Sequence, residues 1–144
     1  SLGGINVIKF NDRNEVESIQ NKKIINTIKL YFKNLYIINT GKIRLSSTSL
    51  GKIKEDPSSY KSIKKIFEIA EDFLNESDNL TEEDLIDFLD LSIKKSWDIK
   101  KLMSGVMNDD LKKIEDILKN FNFEIKKLLG AGGGGYFLVE YKGK

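Results

Sequence analysis

Five of the six residues in Gly130-Ala131-Gly132-Gly133-Gly134-Gly135 are glycine. Glycine costs about 0.5–1 kcal/mol relative to alanine inside regular structure, so neither a helix nor a strand runs through this segment and the chain must turn there. On either side lie β-prone runs, Phe123-Glu124-Ile125-Lys126-Lys127-Leu128-Leu129 and Tyr136-Phe137-Leu138-Val139-Glu140-Tyr141, which predict strand, loop, strand. The run spells G-x-G-x-x-G, but a dinucleotide-binding turn needs a helix after the glycines and an acidic residue about 20 positions on. Here a strand follows. A Walker A loop would need Gly-Lys-Ser/Thr, and Tyr136-Phe137 stands in that place. A plain hairpin connector uses about two to five residues with a single glycine, which leaves most of these unexplained. The reading preferred is that the glycines let backbone approach another loop or a ligand closely, with N–H groups available to an anion.

The segments before the loop order themselves by periodicity. Residues 5–10 and 16–19 read as short strands separated by the polar turn Asn11-Asp12-Arg13-Asn14. Ile24, Ile25, Ile28 and Tyr31/Phe32 recur at helical spacing, and Leu35-Tyr36-Ile37-Ile38 reads as a buried strand ending at Thr40-Gly41. Ser46 and Ser47 can cap a helix over residues 48–54 that Pro57 ends, and a longer helix begins near Ser58 with Tyr60, Ile63, Ile66, Ala70 and Phe73 on one stripe. Thr81 is an N-cap, with Asp84 at the capping-box position, for a helix through Leu85, Leu89, Ile93 and Trp97 that stops at Ser104-Gly105. Asn108 caps the last helix, through Leu111, Ile114 and Leu118. The predicted class is α+β, one domain over residues 1–144, with an antiparallel sheet backed by helices.

Composition removes whole classes of chemistry. The chain has no Cys and no His, so disulfides, Cys/His zinc sites, thiol nucleophiles and His-based triads are excluded. Its 24 basic and 22 acidic residues interleave to a net charge of +2, a weak footprint for a nucleic-acid binder, and no basic strand carries the interleaved aromatics of RNA-binding sheets. Lys64-Lys65, Lys94-Lys95 and Lys112-Lys113 fall on polar helix faces and are expected to be solvated. Glu82, Glu83 and Asp109 sit at helix starts, where capping and the helix dipole account for them. No apolar stretch of about 18 residues and no signal-peptide pattern occurs, which predicts a soluble cytoplasmic protein with no membrane partner.

Lys127-Leu128-Leu129-Gly130-Ala131-Gly132-Gly133-Gly134-Gly135-Tyr136-Phe137 resembles the third conserved motif of GHMP kinases, most closely that of heptose-7-phosphate kinases and related sugar kinases. Three further segments agree in order. Gly3-Gly4-Ile5-Asn6-Val7-Ile8-Lys9-Phe10 is similar to the family's Gly-Gly-x-Asn-x-Ile-x-Phe strand. Thr40-Gly41-Lys42-Ile43-Arg44-Leu45-Ser46-Ser47 is similar to its T-G-x-x-R-x-S-S turn, and Ser96-Trp97-Asp98-Ile99-Lys100-Lys101 to its S-W-x-L-K-K helix. The resemblance spans nearly the whole chain.

It implies a ferredoxin-like GHMP kinase C-terminal domain, with ATP and Mg2+ used by the intact enzyme and a sugar or sugar phosphate as acceptor. Substrate or phosphate contact is expected at Gly130, Ala131, Gly132, Gly133, Gly134, Gly135, Thr40, Gly41, Arg44, Ser46 and Ser47. For Arg44, Ser46 and Ser47, a surface arginine and a simple N-cap account for the residues equally well, and Trp97 is read as core packing rather than substrate stacking. The family's phosphate loop and its acidic base belong to an N-terminal domain and have no counterpart in this sequence. The chain is therefore expected to be a fragment, with Ser1-Leu2 as a cloning scar, inactive alone and prone to self-association through an exposed interdomain face. No catalytic base is assigned. A different class of reading is a free-standing ferredoxin-like regulatory module that holds a small anion in the glycine loop.

Overall fold

A computed structural model describes residues 5–10, 15–19, 21–42 and 46–143. Among them the order is β1 (Val7–Phe10), β2 (Val16–Ile19), α1 (Lys22–Phe32), β3 (Leu35–Asn39), α2 (Ser46–Glu55), α3 (Pro57–Glu76), α4 (Glu82–Lys100), α5 (Asp109–Asn120), β4 (Phe123–Leu129) and β5 (Tyr136–Tyr141). The protein is mixed α+β with antiparallel pairing throughout. Two expectations about the strands change. Residues 35–38 are not the buried strand expected, since β3 lies at a sheet edge with Tyr36 56% and Ile37 63% exposed. The strands form two sheets, a β1-β2 hairpin and a three-stranded sheet in the order β3-β5-β4, rather than one. Val7 of the hairpin packs against a cluster built from α1, α3 and α4, so β1 serves the helical layer instead of extending the larger sheet. The expected turn at Asn11-Asp12-Arg13-Asn14 lies outside the described residues.

Helix boundaries follow local chemistry. The Asn21 side chain accepts from the Lys23 and Ile24 amides and starts α1. Asp56 caps α3 with Pro57 at the first helical position, where a missing N–H costs nothing. Thr81 Oγ1 accepts from the Asp84 amide at 3.2 Å and donates to its carboxylate at 2.6 Å, so the Asp84 carboxylate engages the Thr81 hydroxyl where a capping box has a bond from the N-cap N–H. Helix α2 already begins at Ser46, which places Ser46 and Ser47 in its first turn.

Helix α4 joins two cores. Its first half contributes Leu85 and Leu89 to a cluster with Ile24, Tyr31 and Phe73. Further along, Trp97 enters a second cluster with Leu111 and Leu118 of α5 and Leu128, Phe137 and Val139 of the sheet. Trp97 meets Phe137 edge to face with centroids 6.5 Å apart, so this side of the ring packs in the core as expected.

Strand β4 carries the feature least expected from sequence. Its register slips between Ile125, opposite Val139, and Lys127, opposite Leu138. Lys126 is the extra residue of this bulge and is fully buried, at 0% exposure. Its Nζ lies 2.6 Å from Asp90, 2.9 Å from Glu124 and 2.7 Å from Glu140, so all three ammonium donors have a carboxylate. Lys94 bridges Asp90 and Glu124 at 2.8 and 2.9 Å, contrary to the expectation of a merely solvated lysine. Lys142 reaches Glu140 at 2.7 Å, and the Tyr31 hydroxyl donates to Asp90 at 2.6 Å. Three cations thus neutralise three carboxylates, the condition under which buried charge is tolerated.

The network sets an acid limit. Burial works to raise the Asp90 carboxyl, but hydrogen bonds from Lys126, Lys94 and Tyr31 outweigh it and hold the group at about 2. Glu124 and Glu140 are likewise held below the ordinary value of 4.5, burial opposing and the lysines prevailing. Carboxylates depressed on folding contribute stability that is complete above their unfolded pKa and lost as pH falls through the folded one. Thermal melts should therefore shift downward as pH drops from about 4.5 toward about 2. Lys126→Met should cost about 3–5 kcal/mol near neutrality by stranding the carboxylates, and the gap to the parent chain should narrow in acid as they take up protons. A gap independent of pH would contradict this account of the network.

Candidate functional site

The strand register brings two predicted segments together. Asn39 and Leu129 both pair with Tyr136, so the β4-β5 loop of residues 130–135 begins and ends beside the turn that follows β3. Thr40 donates both its N–H and its hydroxyl to the Gly135 carbonyl, at 2.9 and 2.8 Å. The Gly135 N–H donates back to the Lys42 carbonyl at 3.0 Å. Gly41, at φ +65°, turns the chain between them, with its N–H given to the Asn39 side chain at 2.8 Å. Lys42 also pairs with Asp110 in the first turn of α5 at 2.8 Å, and that contact holds the Asp110 carboxyl below its ordinary value.

The connection between α4 and α5 closes the other side. The Gly133 N–H donates to the Val106 carbonyl at 2.8 Å. Asn108 caps α5 by accepting from the Leu111 amide at 2.9 Å, while its amide nitrogen donates to the Gly133 carbonyl at 3.1 Å. Lys100 Nζ donates to the Gly130 carbonyl at 2.6 Å. The glycine loop is a wedge held on both sides by backbone.

Two glycines show why side chains are excluded. A Cβ on Gly134 would lie 2.5 Å from the Lys42 carbonyl oxygen, although its φ is not left-handed. On Gly132, at φ +110°, it would lie 2.6 Å from the Val106 Cα. The first excludes a side chain by contact alone, the second by contact and conformation together. Gly133 and Gly134 are buried.

The loop divides its amides. Those of Gly133 and Gly135 are spent on protein carbonyls, which the sequence reading of open N–H groups did not anticipate. The amides of Ala131 and Gly134 have no hydrogen-bond partner among the described residues. Buried donors are normally paired, which sets the Gly134 amide apart from those of Gly133 and Gly135. Arg44 lies outside the described residues, as do Gly3 and Gly4 of the first resembling segment. Ser46 and Ser47 follow in α2. Sequence reasoning missed Lys42 and Val106, which act through carbonyls that any residue type supplies. It also missed the second role of Asn108, which registered only as a cap, and that of Lys100, visible inside the Ser-Trp-x-x-Lys-Lys segment but not as a loop contact.

Among the described residues no group of three or more acidic side chains is placed to hold a metal ion, and no helix is long and apolar enough to cross a membrane. The chain matches no protein-family model and no curated protein sequence.

Alanine substitutions should separate strain from contact. Gly130 has φ +87°, but a Cβ added there would meet nothing within 4 Å, so Gly130→Ala should cost about 1–2 kcal/mol from left-handed conformation alone. Gly132→Ala adds collision with the Val106 backbone and should cost more, about 3 kcal/mol or above. Equal losses in chemical denaturation would mean that the close approach at Gly132 is not a constraint.

Proposed function

We propose that this chain is the C-terminal domain of a GHMP-type sugar or sugar-phosphate kinase, in which it closes the phosphoryl-transfer cleft. The observation that carries the proposal is convergence. Three segments that resemble the family's motifs, around Thr40, around Trp97 to Lys100, and the glycine run, are far apart in sequence and meet at one loop through the bonds of Thr40 and Lys100 to Gly135 and Gly130. A connector between hairpin strands requires no such gathering. The finer fold reading, ferredoxin-like, belongs to the same proposal.

In this reading the parent enzyme transfers the γ-phosphoryl of MgATP in line to a sugar hydroxyl, a reaction in which positioning and charge stabilisation do most of the work. The Ala131 amide, without a partner among the described residues, is then left for the phosphates or for the phosphate loop of the N-terminal domain, and Thr40 fixes the loop's end. Backbone donors held rigidly cost no reorganisation when charge develops. Mg2+ would be held by the nucleotide and the partner domain, and the catalytic base would come from that domain also. An apolar surface suits such a partner: Phe10 is 75% exposed, and with Ile8, Val16 and Phe67 it borders a cavity of about 800 Å³ between the β1-β2 hairpin and α3.

Coupled ADP release against a panel of sugars and sugar phosphates tests the proposal. The chain alone should give no turnover, while the parent protein carrying a Gly/Ser-rich phosphate-loop domain should be active. Turnover by the chain alone that follows the protein peak through repurification would overturn it. So would a coding region upstream without such a domain, which would favour the free-standing anion-binding module.

A further inference from the structure

Below the first residues of the glycine loop lies a cavity of about 360 Å³ whose walls include Ile53 of α2, Ile66 of α3, Trp97 of α4 and Met103. Among the described residues, the only charged ones lining it are Lys100 and Lys127. Its volume and predominantly apolar walls with a few polar groups are those of small-molecule sites.

The two lysines differ from the other cations in this part of the fold. Lys94, Lys126 and Lys142 each have carboxylate partners, whereas Lys100 and Lys127 have none among the described residues. Lys100 gives one N–H to the Gly130 carbonyl, which leaves two of its three donors. Burial, and then the Lys127 charge, press its pKa down, as expected of a cation that faces apolar walls and a like charge without a counter-ion. An anionic group placed between them would supply what the protein does not, while Trp97 and the aliphatic walls would cover an apolar body.

We propose that this cavity is a binding site for a small organic anion, an aromatic or branched apolar body bearing one carboxylate, with Lys100 and Lys127 holding the charged end. The proposal does not depend on phosphoryl transfer, and its test reads binding alone. Trp97 is the only tryptophan of the chain, so its indole N–H gives a single resolved signal in a nitrogen–proton correlation spectrum. Naphthalene-1-acetate titrated into the protein should move that signal saturably, with Kd below about 1 mM. The neutral naphthalene-1-acetamide should bind at least about fivefold more weakly. Lys127→Gln should remove that advantage without altering the amide's affinity, and Lys127→Arg should retain it. If Lys127→Gln loses its dispersed spectrum, added salt on the unsubstituted protein serves instead, and should erode the carboxylate's advantage selectively. An indole signal that stays still, or equal affinities for acid and amide, would overturn the proposal.

Discussion

No side chain fits at Gly134, because its first carbon would stand 2.5 Å from the carbonyl oxygen of Lys42. That close approach is the constraint on which the functional end of the molecule depends. It lets the Gly135 N–H reach Lys42 and the Gly135 carbonyl accept twice from Thr40, while Gly133 is tied to Val106 and Asn108. Asn108 also caps α5, so the position of a helix and that of the loop are set by one side chain. A glycine run is commonly taken as a sign of looseness. Here it allows three backbone segments to share a space that admits no Cβ at Gly132 or Gly134.

A second set of ties holds the middle of the same framework. Lys126, turned inward by the β4 bulge, gathers carboxylates from α4, β4 and β5. Helix α4 takes part in both arrangements, through Asp90 in the ion network and through Lys100 at the loop. The network ties α4 to the sheet alongside the apolar packing of Trp97, and removal of one partner would strand the others. The loop therefore rests on a helix whose position is set by charge as well as by burial.

Most of the elements were legible from periodicity and end signals. The alternation of apolar residues at helical spacing found α1, α3, α4 and α5, and Thr81 and Asn108 marked the starts of α4 and α5 because a cap is a local interaction between residues three apart. What could not be read was non-local. The division into two sheets depends on Val7 finding the helical cluster. The burial of Lys126 depends on three partners distributed over residues 90, 124 and 140. One signal was present: Ile125-Lys126-Lys127-Leu128 breaks a two-residue alternation by one position, the footprint of a bulge. In the glycine loop the sequence announced close backbone approach but not its direction: Gly132 and Gly134 close on the protein's own Val106 and Lys42 backbone, and the Gly133 and Gly135 amides bond the same two residues' carbonyls.

Whether the glycines serve close approach or mere flexibility can be decided by native-state hydrogen exchange at individual amides. Backbone N–H groups held in the stable part of a fold open only with large free energies, whereas those of a mobile loop exchange almost freely. The wedge described here predicts that the Gly133 and Gly135 amides exchange as slowly as that of Leu138 in the central strand, with the unpaired Ala131 amide exchanging far faster. Exchange of Gly133 and Gly135 at the rate of an unstructured chain would contradict it and reduce the loop to a flexible hairpin connector.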